Sequence, residues 1–186
     1  MGDQLIYKLH ENPLVGAIHK KEDAKIFVKR DLKVAFILDT NIFDVKEMMD
    51  ILRKKDVMVF IHFDLLDGIS KNKYGFEYVK EYIKPDGIIT TRADMIKRAK
   101  KNNMYVIQRL FLLDSINLKS GLKSVRNNKP DAVEILPGLI HKITDEIAQK
   151  INVPLIAGGL IKDKKDIYKA LNAHALGIST SKKSLW

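Results

Sequence analysis

The hydrophobic pattern of this chain switches between two periods along its whole length, and that alternation limits the folds open to it. Eight short apolar runs recur: Leu14 to Ile18, Val34 to Leu38, Val57 to Phe63, Gly87 to Thr90, Met104 to Arg109, Ala132 to Leu136, Leu155 to Ala157 and Ala175 to Ser179. Each of the first seven is followed by a turn and a longer polar or helix-periodic stretch. Val45, Met48, Met49 and Leu52 share one helical face, as do Leu118, Leu122 and Val125, and Ile140, Ile143 and Ile147. Strict βα alternation implies parallel strands, and eight such units imply closure. The expected fold is therefore α/β, a compact (βα)8, TIM-like barrel. The last run leads only into Lys182-Lys183-Ser184-Leu185-Trp186, so its helix should be short or missing. The repeat is roughly 23 residues, tighter than the usual barrel unit of about 30. An open doubly wound sheet is the alternative if a terminal unit is miscounted. Residues 1–186 read as one barrel domain, with residues 1–12, carrying Leu5, Ile6 and Leu9, as a segment that caps its bottom.

Helix boundaries follow from local chemistry. The first is expected near Lys20 to Lys29 and the second from an Asp44…Glu47 capping pattern. The third runs from about Tyr74 to Ile83, stopping before Pro85, and the fourth from Ala93 to Lys101. After the seventh strand, Asp163 reads as an N-cap with Asp166 three residues on, followed by Ile167, Ala170 and Leu171. That strand, in Asn152 to Leu160, ends in Gly158-Gly159. Adjacent glycines allow backbone to approach a ligand, and clustered N–H groups hold an anion. The final strand ends Gly177-Ile178-Ser179-Thr180-Ser181, a second small, hydroxyl-rich turn. Turns after the last two strands of a barrel are where a phosphate cup forms. Backbone N–H groups of Gly159 and Leu160, with Ser179 and Thr180, are the candidate phosphate ligands.

Alternation also sorts the strand residues by face. Val59, Ile61 and Phe63 should meet helices, so that His62 and Asp64 point together toward the axis near the C-terminal rim. Val133 and Ile135 face out, so Glu134 faces in, and a carboxylate inside a barrel needs a cation or hydroxyl partner. Arg109, at the tip of the fifth strand, is the candidate. His62, Asp64, Arg109 and Glu134 would then bind hydroxyls opposite the phosphate turns, which suits a small phosphorylated polyol. No lysine stands at these strand tips, against Schiff-base aldolase chemistry, and no metal triad or Ser-His-Asp order is evident. A rival reading is an enzyme acting on a phosphorylated triose or polyol, with His62, Asp64 or Glu134 as acid and base.

Charge adds a second constraint. The net charge is +10, almost all of it lysine. Such a surface favours polyanions through counterion release, although lysine-rich composition also arises from genome bias or thermal adaptation. Arg92, Lys97, Arg98, Lys100 and Lys101 form one basic cluster, a candidate RNA contact whose plain alternative is a solvated helix face. Zero cysteines exclude disulfides and thiol chemistry, and no run of 18 apolar residues or basic-then-apolar leader occurs. A soluble cytoplasmic protein is expected, with no membrane partner.

Six segments together resemble a known family. They are His62-Phe63-Asp64-Leu65 with Gly68-Ile69-Ser70, Asp86 to Thr91, Gln108 to Ser115, Pro130-Asp131 with Glu134 to Gly138, Ala157 to Ile161, and Ser179-Thr180-Ser181 with Leu185-Trp186. In this order they resemble the glycerol uptake operon antiterminators, over about Val34 to the end. The family usually has Ser where Thr90 stands. The resemblance implies a barrel, a glycerol 3-phosphate effector rather than a cofactor, no catalysis, and a regulator that binds leader mRNA so that transcription passes a terminator. It leaves a homo-oligomer open.

Overall fold

The computed structural model describes residues 2–186. Among them, eight strands wind into a closed parallel barrel: β1 (Leu14–Ile18), β2 (Val34–Ile37), β3 (Met58–His62), β4 (Gly87–Thr90), β5 (Tyr105–Phe111), β6 (Ala132–Leu136), β7 (Leu155–Gly158) and β8 (Gly177–Thr180). Every strand pairs with its sequence neighbours, and β8 returns to β1 with Leu14 opposite Ile178, Val15 opposite Ser179 and Gly16 opposite Thr180. That last pairing is what rules out the open sheet. The connecting helices are α2 (Lys21–Phe27), α3 (Ile42–Leu52), α4 (Lys73–Tyr78), α5 (Ala93–Lys101), α6 (Ser115–Asn128), α7 (His141–Ala148) and α8 (Lys164–Asn172). After β8 there is only a 3-10 turn, Lys183–Leu185. Among the described residues no helix is long and apolar enough to cross a membrane.

The alternation works as the pattern requires. Outward-facing Ala35, Ile37, Val59, Ile61, Ile88 and Val106 pack in one shell with Met48, Leu52, Phe76, Val79 and Ile96 from the helices. Inward-facing Val34, Phe36, Met58, Phe60, Ile89, Ile107, Ala132 and Ile156 fill the lower barrel, where the Phe36 and Phe60 rings meet edge to face at 5.8 Å. The N-terminal helix α1 (Gly2–Glu11) inserts Leu5 and Leu9 into the same cluster and seals the end away from the rim.

Capping chemistry decides several boundaries. Asp163 accepts from Asp166 N while the Asp166 carboxylate accepts from the Asp163 backbone, a complete capping box on α8. The α3 boundary differs from expectation. Its cap is Asn41, whose side-chain carbonyl accepts from Phe43 N (2.9 Å) and Asp44 N (3.0 Å). Asn41 sits in extended backbone, where a short amide reaches the first free N–H groups, and Asp44 instead accepts from Asn41 and pairs with Lys21. A two-residue ladder joins Thr40–Asn41 to Leu66–Asp67 above the rims of β2 and β3. The segment after β3 forms α4, then a π-helical turn over Val79–Ile83 that ends on left-handed Lys84 just before Pro85.

Leu9→Ala should therefore behave as a core truncation although it lies in a terminal helix. Urea unfolding is expected to show a loss of about 2–5 kcal/mol with an unchanged slope; a loss below about 0.5 kcal/mol would mean that α1 is not part of the cooperative core.

Candidate functional site

One pleat above the apolar filling the barrel interior turns polar. Arg109 on β5 and Glu134 on β6 stand opposite each other in the ladder, and Arg109 Nε donates to Glu134 Oε2 at 2.7 Å. Glu134, 1% exposed, accepts at its other oxygen from Ser179 Oγ on β8 at 2.6 Å. Strand β7 lies between β6 and β8, so this bond must cross it. It can, because Gly158 stands opposite Ser179 and has no side chain. A Cβ there would come within 2.3 Å of Ser179 Oγ and 2.7 Å of Glu134 Oε1. The glycine leaves the gap through which the hydroxyl reaches the carboxylate.

Above this relay opens a cavity of about 180 Å³. Ser179, Thr180 and Ser181 line one side, and Gly159, Leu160 and Ile161 the next, with Arg109 and Leu136 beyond and Ala17, His19 and Leu38 closing the ring. Gly159 and Leu160 both lie in left-handed backbone, at φ 73° and 62°. For glycine this costs little, whereas for leucine it stores about 1–3 kcal/mol of strain of the kind that collects at ligand clamps. Only the Nε of Arg109 has a protein partner among the described residues; the rest of the guanidinium, a fork of donors, borders the cavity.

The nine ligand residues expected from the sequence separate into layers. Arg109, Gly159, Leu160, Ser179 and Thr180 line the cavity. Glu134 and Gly158 lie beneath it as floor. His62 is on the inner face of β3, 4% exposed, with no partner for Nδ1 among the described residues. Burial, with the Arg109 guanidinium and Lys71 adding to it and Asp64 opposing, pushes the imidazole down to about 4. Asp64 is not aimed down the axis beside His62. The strand stops at His62 and a 3-10 turn, Phe63–Leu65, breaks the alternation. The Asp64 carboxylate instead accepts from Thr90 Oγ1 (2.8 Å), Thr91 N (2.7 Å) and Thr91 Oγ1 (3.1 Å), which fastens the β3 rim to the β4 rim.

Sequence reasoning passed over Ala17, His19, Leu38 and Ile161, and named Ser181 only as part of the hydroxyl-rich turn. The signal for the first two was closure itself, because β1 adjoins β8 and its tip must share the same rim. The basic cluster on α5 is partly paired, with Lys97 and Lys101 exposed and without an ion pair among the described residues. Arg92 sits at the rim, donating to Lys71 O (2.5 Å) and pairing with Asp94. Lys100 lies a helix length away, paired with buried Asp131, whose other oxygen accepts from Val106 N.

A family model described as "Glycerol-3-phosphate responsive antiterminator" matches residues 14–186. The chain is 33% identical over 182 residues to the uncharacterized protein YgcP of Escherichia coli strain K12, covering 98% of this chain and 95% of that one. Two crystal structures are similar. That of the glycerol uptake operon antiterminator regulatory protein from Listeria monocytogenes has a TM-score of 0.89 at 32% identity, covering 94% of this chain and 95% of the other. That of a glycerol uptake operon antiterminator-related protein from Thermotoga maritima has a TM-score of 0.83 at 28% identity, covering 93% and 96%.

Two measurements test this geometry. Because the folded state holds His62 neutral to about 4, its contribution is complete above about pH 6.5 and is lost as pH falls from there to about 4, by up to about 3 kcal/mol. His62→Gln should flatten that part of the stability profile; an unaltered profile would mean that His62 does not set it. Gly158→Ala should push Ser179 off Glu134 and cost about 1–3 kcal/mol in urea unfolding; a neutral substitution would show that the relay does not cross β7 at close contact.

Proposed function

Because this chain belongs to the glycerol-3-phosphate responsive antiterminator family, we propose that it binds glycerol 3-phosphate in the rim cavity and that occupancy controls its binding to leader mRNA. Cavity position carries the reading: small hydroxyls, one left-handed turn at Gly159-Leu160 and a guanidinium surround one opening above the last two strands. The phosphate is assigned to the N–H groups of Gly159 and Leu160 with the Ser179 and Thr180 hydroxyls, and the glycerol hydroxyls to Arg109. Glu134 acts as a positioning residue, since both its oxygens are already engaged. Asp64, with three donors on its carboxylate, supports the rim. The same engagement argues against acid–base work by either carboxylate, in keeping with a regulatory family.

For an effector, differential affinity between two states is the whole mechanism. Left-handed Leu160 gives the empty turn a reason to relax and the occupied turn a reason to hold. RNA affinity would rest on the net charge of +10 and fall steeply with salt.

Glycerol 3-phosphate, and not glycerol, should raise the thermal midpoint; a 1 mM ligand with a micromolar dissociation constant stabilises by about 4 kcal/mol. Filter binding to a transcribed glycerol uptake operon leader should respond to the same ligand. A protein with no affinity for that RNA at low salt, with and without glycerol 3-phosphate, would overturn the regulatory reading.

A further inference from the structure

Most of the surplus charge gathers at one place, the seam between α8 and α2 over the outer faces of β8 and β1. The 3-10 turn Lys183–Leu185 fills that seam, with an open groove on each side. One, about 270 Å³, is lined by Leu14, Lys164, Ile167, Tyr168, Leu171 and Leu185 among others. The other, about 460 Å³, is lined by Ile26, Lys29, Arg30, Lys183 and Ser184. Residues 20–30 and 162–186 carry eleven lysines and arginines against four aspartates and glutamates, a surplus of seven out of the chain's net +10.

The carboxylates of this region are mostly consumed. Asp163 and Asp166 are turned onto the backbone of α8 as its capping box, and Asp23, 1% exposed, lies under Lys183. Only Glu22 remains exposed and unpaired among the described residues. In contrast Lys29, Arg30, Lys164, Lys165 and Lys169 are exposed and make no ion pair among them. The α5 cluster is partly neutralised, with Arg92 and Lys100 paired to Asp94 and Asp131, which leaves Lys97 and Lys101 as its exposed cations without an ion pair among the described residues. Tyr168, 65% exposed, stands in the α8 groove between these cations, a stacking surface of the kind single-stranded nucleic acid uses.

We propose that this seam between α8 and α2 is the face that binds the RNA, with Lys29, Arg30, Lys164 and Lys169 on the phosphate backbone and Tyr168 against a base. The proposal rests on the regulatory reading above and adds the place of contact. Placement also supplies the link to the effector. Both turns that line the cup run directly into the seam: Ile161 into Lys162, and Ser181 into Lys182. The two are tied together, since Lys182 Nζ donates to Lys162 O at 2.5 Å and Lys182 N to Thr180 Oγ1 at 3.1 Å.

Fluorescence anisotropy with a labelled glycerol uptake operon leader transcript, titrated from about 50 to about 200 mM salt, tests it. The seam variant Lys29→Glu/Arg30→Glu/Lys164→Glu/Lys169→Glu should bind at least about 30-fold more weakly and lose about 3 from its salt slope. It should keep the glycerol 3-phosphate thermal shift, which shows that it is folded. The uncharged change Tyr168→Ala should weaken binding by about fivefold or more, and Lys97→Glu/Lys101→Glu should leave it near wild type. RNA binding by the seam variant within twofold of wild type would overturn this inference alone. Failure of the wild-type protein to bind the transcript would remove the regulatory reading beneath it. Wild-type binding to phosphatidylserine vesicles without RNA affinity would reassign the seam to a lipid surface and also overturn it.

Discussion

The Arg109–Glu134–Ser179 relay is the constraint on which the upper half of this barrel depends. Taking a guanidinium and a carboxylate out of water costs several kcal/mol for each ion, and only close pairing with satisfied oxygens recovers it. Both conditions are met, because Glu134 receives one donor from β5 and one from β8. The relay therefore clamps strands on both sides of β7, and the lone hydrogen at Gly158 is what lets it do so. Its consequences run in both directions. Below it nothing polar is needed, and aromatic and aliphatic side chains with the α1 plug keep the interior dry. Above it Ser179 is held at a fixed height, and Arg109, its charge balanced by Glu134, still presents donors to the cavity. The floor of the cavity is thus a neutral pair, and any attraction for an anion there would have to come from N–H groups and hydroxyls at the rim rather than from an unbalanced charge.

His62 shows the cost of the same arrangement. A neutral imidazole beside a buried guanidinium is tolerable, whereas a charged one adds repulsion to desolvation, which is why its pKa falls. His62 therefore stays neutral beside the Arg109–Glu134 pair at ordinary pH.

The period of two along strands and 3.6 along helices makes the barrel readable from the chain alone, and alternation alone places Glu134 inside. Asp163 and Asp166 announce α8 because a capping box is a contact within four residues. What the chain conceals is whatever depends on partners distant in sequence. Asp64 follows the inward parity of His62, but the strand ends between them and Thr90 and Thr91 offer three donors, so the carboxylate turns to the rim. Asn41 caps α3 because its pairing with Asp67 holds it in extended backbone, which the Asp44…Glu47 pattern does not reveal. His19 joins the site only through closure of β8 onto β1. The basic run from Arg92 to Lys101 reads as one patch in one dimension, whereas in three dimensions ion pairs to Asp94 and Asp131 take up Arg92 and Lys100 and leave Lys97 and Lys101 exposed.

Between α8 and α2 the wall is closed by a single large side chain, and that contact has mechanical consequences. Trp186 packs edge to face on Phe27 at 5.9 Å and donates from its indole nitrogen to Thr180 O at 2.8 Å. The indole thus bonds to a residue that also lines the rim cavity, so the wall and the cavity share Thr180. Coupling between two sites needs an element that both can bias. In the proposed function that element would be the Lys183–Leu185 turn with Trp186, and left-handed Leu160 sets its scale: about 1–3 kcal/mol, if released or retained according to occupancy, would change affinity at the second site by about 5- to 150-fold.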